Sequence, residues 1–157
     1  MLHLWRWPLG LKILMPVAWG LIGLASALLV IVPFGRIAPL MGRNLGATPA
    51  LPVAGPSRLR RARLIGRAVT TAARFAPFRS DCLPQAIAAV TLCRLLRVPY
   101  AACLGVSMST PDKRGQLAAH AWVQCGPVAM TGGTGNFQRF GVLACFVPPG
   151  LAPGGGA

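Results

Sequence analysis

The sequence predicts an α+β domain, with helices first and an antiparallel sheet after them. Three observations carry this. Apolar residues recur at helical spacing in the runs that end at Pro77 and Pro99. From Tyr100 onward the apolar runs are short and strand-like. Those runs are parted by turn signals, namely MSTPDKRGQ (108–116), Gly126–Pro127 and TGGTGN (131–136). Helices followed by strands, without alternation, give segregated layers rather than a parallel sheet.

The first apolar stretch is 13–35, which carries no charge between Lys12 and Arg36. It is long enough to span a bilayer, and its small residues around Ala25–Ser26–Ala27 also suit a signal peptide. Pro16 and Pro33 confine the expected helix to about 17–32. The expectation is therefore a buried or membrane-touching helix of a soluble domain. Residues 36–57 read as a connector, with Pro39, Pro49, Pro52 and Pro56 among glycines. Residues 58–76 predict a helix, because Leu59, Ala62, Ile65, Val69, Ala72 and Ala76 share a face with arginines opposite. A second helix opens at Cys82, capped by Ser80 or Asp81, with Pro84 in its first turn and Leu83, Ile87 and Val90 on its core face. Strands are expected at 100–107, 117–125, 128–131 and around Val142–Phe146. The chain divides into an apolar helix and connector (1–57), a core (58–147) and a flexible tail (148–157).

Composition narrows the chemistry. The chain of 157 residues contains two carboxylates, Asp81 and Asp112. Paired-carboxylate glycoside hydrolysis needs two acids at one bond, and two-metal phosphoryl chemistry needs several hard oxygen ligands. Any catalysis must rest on cysteine, histidine or hydroxyls. The five cysteines (Cys82, Cys93, Cys103, Cys125 and Cys145) are widely spaced without a C-x-x-C pair. Neither a zinc site nor a disulfide framework is expected, no cofactor is implied, and a reduced cytoplasmic setting fits. The net charge of +14 favours acidic partners. RLRRAR (58–63) lacks interleaved aromatics, so nucleic-acid binding is not expected.

Cys82 stands where a helix begins, and free backbone N–H groups there stabilise an anion. Such a position favours a thiolate. His120 lies mid-strand in AAHAWVQCG (118–126). A thiol at a helix start and an imidazole on the strand beneath it make a workable nucleophile and base. A core histidine and a structural cysteine are the bland alternative.

CLPQAIAAVTLCRLLRVPYAACLGV followed by AAHAWVQCG resembles the leader peptidase, or B protein, of lasso-peptide biosynthesis. That family is similar to transglutaminase-like and papain-like cysteine peptidases. The matching marks are Cys82-Leu83-Pro84, Leu92 with Leu95-Leu96, Pro99, Gly105 and Ala119-His120-Ala121-Trp122-Val123. The resemblance covers 77–146 and extends more loosely upstream. It implies a core in which a nucleophile at a helix N-terminus packs on an antiparallel sheet. It also implies that His120 deprotonates Cys82, that the thiolate attacks the leader–core peptide bond, and that water hydrolyses the thioester. The Cys82 backbone N–H would serve as oxyanion donor, and Trp122 would wall the site.

One departure stands out. The family carries an acid on the strand after the histidine, and here that region reads PVAMTGG. Thr131, Asn136, a backbone carbonyl or a partner's residue could be the third member, or the site is a dyad. The implied partners are the precursor leader peptide, a separate leader-recognition protein and the lasso cyclase. Membrane contact through 13–35 is a further expectation, and so is the alternative of a non-catalytic basic protein that is membrane-associated or binds a partner.

Overall fold

The computed structural model describes residues 8–78, 80–111, 117–133 and 140–150, with the backbone alone at 108–111 and 117. Helix α1 spans Leu9–Ile31, α2 Phe34–Ile37, α3 Pro56–Arg74 and α4 Cys82–Leu95. The strands are β1 (Arg43–Asn44), β2 (Ala101–Pro111), β3 (Leu117–Cys125), β4 (Val128–Thr131) and β5 (Phe140–Val147). They form one sheet in the order β1-β5-β2-β3-β4, and every described pairing is antiparallel. The α+β architecture is thus present, with the helical layer preceding the sheet.

The elements differ from expectation in three places. The first helix begins at Leu9, before the expected 17, and runs through Pro16. A proline inside a helix removes one backbone hydrogen bond and clashes with the carbonyl four residues earlier. Tertiary packing compensates, because Leu11, on the upstream side of Pro16, is buried in the core. The connector holds structure of its own: α2, a 3-10 turn at Ala38–Met41, and β1. β2 continues to Pro111, into the stretch read as a turn.

The core lies between the helices and one face of the sheet. Ala18 and Ile22 of α1, Ile65 and Val69 of α3, and Ala89 and Leu92 of α4 are buried there with Ala121, Val123 and Cys125 of β3. Side chains alternate along a strand, so Trp122 belongs to the other face. It packs there with Ala101, Cys103, Cys145 and Val147, against which Leu45 and Ala50 of the connector are laid. The connector is also tied down by polar contacts. The buried Tyr100 hydroxyl donates to the Met41 carbonyl at 2.8 Å, and burial pushes its pKa up to about 12. Arg94 donates to the Leu40 carbonyl at 2.7 Å.

α3 approaches β4 closely because Gly66 carries no side chain. A Cβ there would stand 2.9 Å from the Met130 backbone.

Candidate active site

α4 opens with Asp81 at the N-cap in extended conformation, its side chain making no capping hydrogen bond. Gln85 holds this entry, its side-chain amide donating to the Ser80 carbonyl at 2.6 Å. Ser80 in turn donates to the Ala73 carbonyl at 3.1 Å, anchoring the α3–α4 link to the end of α3. Cys82 is the first residue of the helix and is half-buried. The other four cysteines are buried. Burial pushes the Cys93 thiol up, with Cys125 adding to the effect, and burial also pushes up Cys125. The hydrogen bond with Cys145, together with burial, pushes up Cys103. Cys82 is therefore the most accessible thiol of the five.

The height of α4 relative to β3 follows from its far end. Cys93 Sγ lies 3.7 Å from Met130 Sδ, and Cys93 interacts with Cys125 at the end of β3. α4 leads into β2, which runs antiparallel to β3, so α4 and β3 run in the same direction. Moving back from Cys93 to Cys82 along a helix covers about 17 Å. Moving back from Cys125 to His120 along a strand also covers about 17 Å. Cys82 and His120 therefore lie at the same end of the layered core.

His120 pairs with Gly105 of β2. It shares its sheet face with Trp122, and its ring is stacked near both Trp122 (centroids 6.1 Å) and Phe140 (4.9 Å). Gly105 makes room for this aromatic group. A Cβ there would meet the Phe140 and Trp122 side chains, each at 3.1 Å, and the Gly141 carbonyl at 2.8 Å. The pairing of β3 with β4 reaches back only to Val123↔Thr131. At His120 that flank of β3 is met by the residue after β4: His120 Nε2 lies 2.8 Å from the Gly132 carbonyl oxygen.

This contact assigns the tautomer. A carbonyl can only accept, so Nε2 carries the proton and Nδ1 holds the lone pair of the neutral ring. A backbone carbonyl thus does for this imidazole what a carboxylate does in an acid-containing triad, fixing the ring and its tautomer but adding no full negative charge. Gly132 has φ +89°, and a Cβ on it would lie 2.4 Å from Trp122 Cβ. Only glycine places its carbonyl here without strain.

Of the residues singled out from sequence, His120 and Trp122 come together, and Cys82 stands level with them. Among the described residues no hydrogen bond joins the Cys82 thiol to the imidazole, and the body of α4 packs on the opposite set of β3 side chains. Thr131 is buried and does not contact His120 through its hydroxyl. Its Oγ1 has no hydrogen-bond partner. Asn136 lies outside the described residues. Phe140 and the Gly132 carbonyl escaped sequence reasoning as specific members of the site. The glycine pair after a strand was a signal for an unusual backbone, but not for what its carbonyl would bind.

An orphaned buried hydroxyl costs about 1–3 kcal/mol. Thr131→Val keeps the shape and removes the hydroxyl, so a gain of about 1 kcal/mol is expected, or a rise of roughly 2–4 °C in Tm. Thermal unfolding followed by circular dichroism measures it. An unchanged or lowered Tm would show that the hydroxyl is satisfied in solution.

Among the described residues no three of His, Cys, Asp or Glu are grouped to hold a metal ion. A family model described as the Transglutaminase-like superfamily matches residues 28–145. No curated protein and no solved structure matches the chain.

Proposed function

As the chain belongs to the transglutaminase-like superfamily, a family generally of cysteine-peptidase and acyl-transfer type, we propose that it is a cysteine peptidase that removes the leader from a lasso-peptide precursor. Cys82 is the nucleophile and His120 the base. The observation that carries the reading is the Nε2–Gly132 contact, which leaves Nδ1 of a neutral imidazole free to accept a proton.

The reaction runs in two steps. Nδ1 takes the thiol proton, and Cys82 Sγ attacks the carbonyl carbon of the scissile bond. The proton passes to the departing amine as the C–N bond breaks, leaving a thioester. Water, deprotonated by the same nitrogen, then releases the acid and restores the thiol. The Cys82 backbone N–H, at the first position of α4, serves as oxyanion donor.

The thiol and imidazole are level but not bonded, with α4 packed on the sheet face opposite the His120 ring, so the two must be brought together during catalysis. Engagement of the leader, presented by a separate recognition protein, is the event that drives it. The net charge of +14 suits an acidic leader or partner surface, and the product passes to a ring-closing enzyme.

The unbonded pair also favours a second reading, in which the chain binds a partner without catalysis. Limiting iodoacetamide separates the two, with each cysteine read by mass spectrometry. Cys82 is expected to be alkylated first, the four buried thiols staying unmodified until the protein unfolds. Under the peptidase reading, the recognition protein and a precursor peptide further raise the Cys82 rate, and His120→Ala removes that rise. If His120→Ala leaves Cys82 equally reactive with both partners present, the catalytic pair is refuted.

A further inference from the structure

α1 buries one stripe and exposes another. Leu11, Ala18, Ile22 and Ala25 face the core, packed on α3 and α4. At 100° per residue, Leu9, Ile13, Val17, Leu24, Leu28 and Ile31 fall within one sector of about 100° on the other side. All six are exposed, Ile31 to 79% and Leu9 to 74%. A surface helix of a water-soluble domain normally carries polar residues there. Lys12, near the N-terminal end, is the one charged residue in the helix. An apolar groove of about 210 Å³ opens beside this face, between α1, the Ile37–Met41 turn and α4, and Leu24 and Leu28 belong to both.

Charge selects the occupant. Arg36, next in sequence to the groove-lining Ile37, and Arg94, which donates to the carbonyl of the groove-lining Leu40, are both exposed. Asp81 is the only acid among the described residues. A second copy would bring another +14 against the first, and that repulsion opposes association through this face.

The packing also decides how the helix meets a bilayer. α1 is long and apolar enough to span one. Yet α3 lies against it, carrying exposed arginines at 58, 60, 61, 63, 67 and 74. Spanning would either drag these into hydrocarbon or strip α1 from its core stripe.

We propose that the outer face of α1, with the adjoining groove, docks on an anionic lipid surface with the helix lying in the plane of the interface. The apolar stripe enters the headgroup–acyl boundary, and the arginines meet the lipid phosphates. The peptidase core is thereby held at a membrane in one orientation, whatever its substrate.

The test is flotation of the full chain, made by cell-free synthesis with vesicles of phosphatidylcholine alone or mixed with phosphatidylglycerol. Flotation is expected with the anionic vesicles, falling about tenfold in high salt and released by alkaline carbonate. Ile13→Glu and Leu24→Glu should each reduce it at least about tenfold. Leu143→Glu, an equally exposed position on β5, should not. Folding of each variant is verified by the silence of the buried cysteines toward iodoacetamide. Carbonate-resistant binding to both vesicle types would overturn the proposal in favour of a spanning helix. A soluble dimer that Leu24→Glu dissociates would overturn it in favour of self-association. Absence of flotation in a folded chain would overturn it outright.

Discussion

Cys82→Ala is expected to abolish precursor cleavage, by about three orders of magnitude or more, while leaving the fold intact. The side chain is half-buried at the first position of α4, at the margin of the core, and its removal costs only a small part of the packing there. Helix entry does not depend on it, because the anchoring bonds are those of Ser80 and Gln85. His120→Ala should approach the same loss, since a nucleophile and its base act as one unit and their effects do not add. The double variant should be no slower than the worse single one. The measurement is single-turnover cleavage of a precursor with the recognition protein present, read by mass spectrometry, beside thermal unfolding of each variant. Residual cleavage by folded Cys82→Ala near the wild-type rate would remove Cys82 from the mechanism and with it the peptidase reading.

The second large effect is expected from a residue that contributes no side chain. Gly132→Ala must hold a φ near +89° and place a Cβ against Trp122 Cβ, where only 2.4 Å is available. Left-handed backbone costs an alanine about 1–2 kcal/mol, and relief of the clash requires either β3 or the Gly132 segment to move. A total destabilisation of about 2–4 kcal/mol is expected. Movement of the segment also withdraws the carbonyl from His120 Nε2. The ring then loses its fixed tautomer, and cleavage should fall by about a hundredfold, the scale of a misplaced catalytic group. Loss of packing alone would not change the tautomer, so nitrogen-15 NMR of the imidazole separates the two effects. The wild type should show the Nε2–H form and Gly132→Ala a mixture. A wild-type ring already in mixed tautomers would refute the positioning role of Gly132.

The parts of the molecule that were legible from sequence are those with a repeated period. α3 and α4 declared themselves by apolar spacing and bounding prolines, and β3 and β4 by short apolar runs set off by Gly126–Pro127. The elements between Phe34 and Asn44 are too short to show any period, and their prolines and glycines read as a connector. Pro16 misled in the opposite direction. Its local cost was visible, and the tertiary contacts of Leu11 that outweigh it were not. The site divides in the same way. Cys82 and His120 carry chemistry in their side chains, and residue type and position make them candidates. The Gly132 carbonyl is a backbone group possessed by every residue, so no residue type marks it. Phe140 joins the imidazole only through the β2–β5 register, which pairs it with Ser107.

The strand order has a consequence for how the chain is made. β5 lies between β1 and β2, pairing Arg43 with Val147 on one side and Ala102 with Phe146 on the other. As the polypeptide leaves the ribosome, an interior strand of the sheet is thus the last of the five to appear. Until residues 140–147 emerge, β1 has no neighbour and one whole edge of β2 is open, beside an α1 that already displays its apolar stripe. Open strand edges and uncovered apolar faces are where nascent chains associate wrongly. Synthesis of this protein therefore carries its greatest hazard late, in the interval between completing β4 and releasing β5, and a pause in translation within that interval would lower the yield of soluble chain.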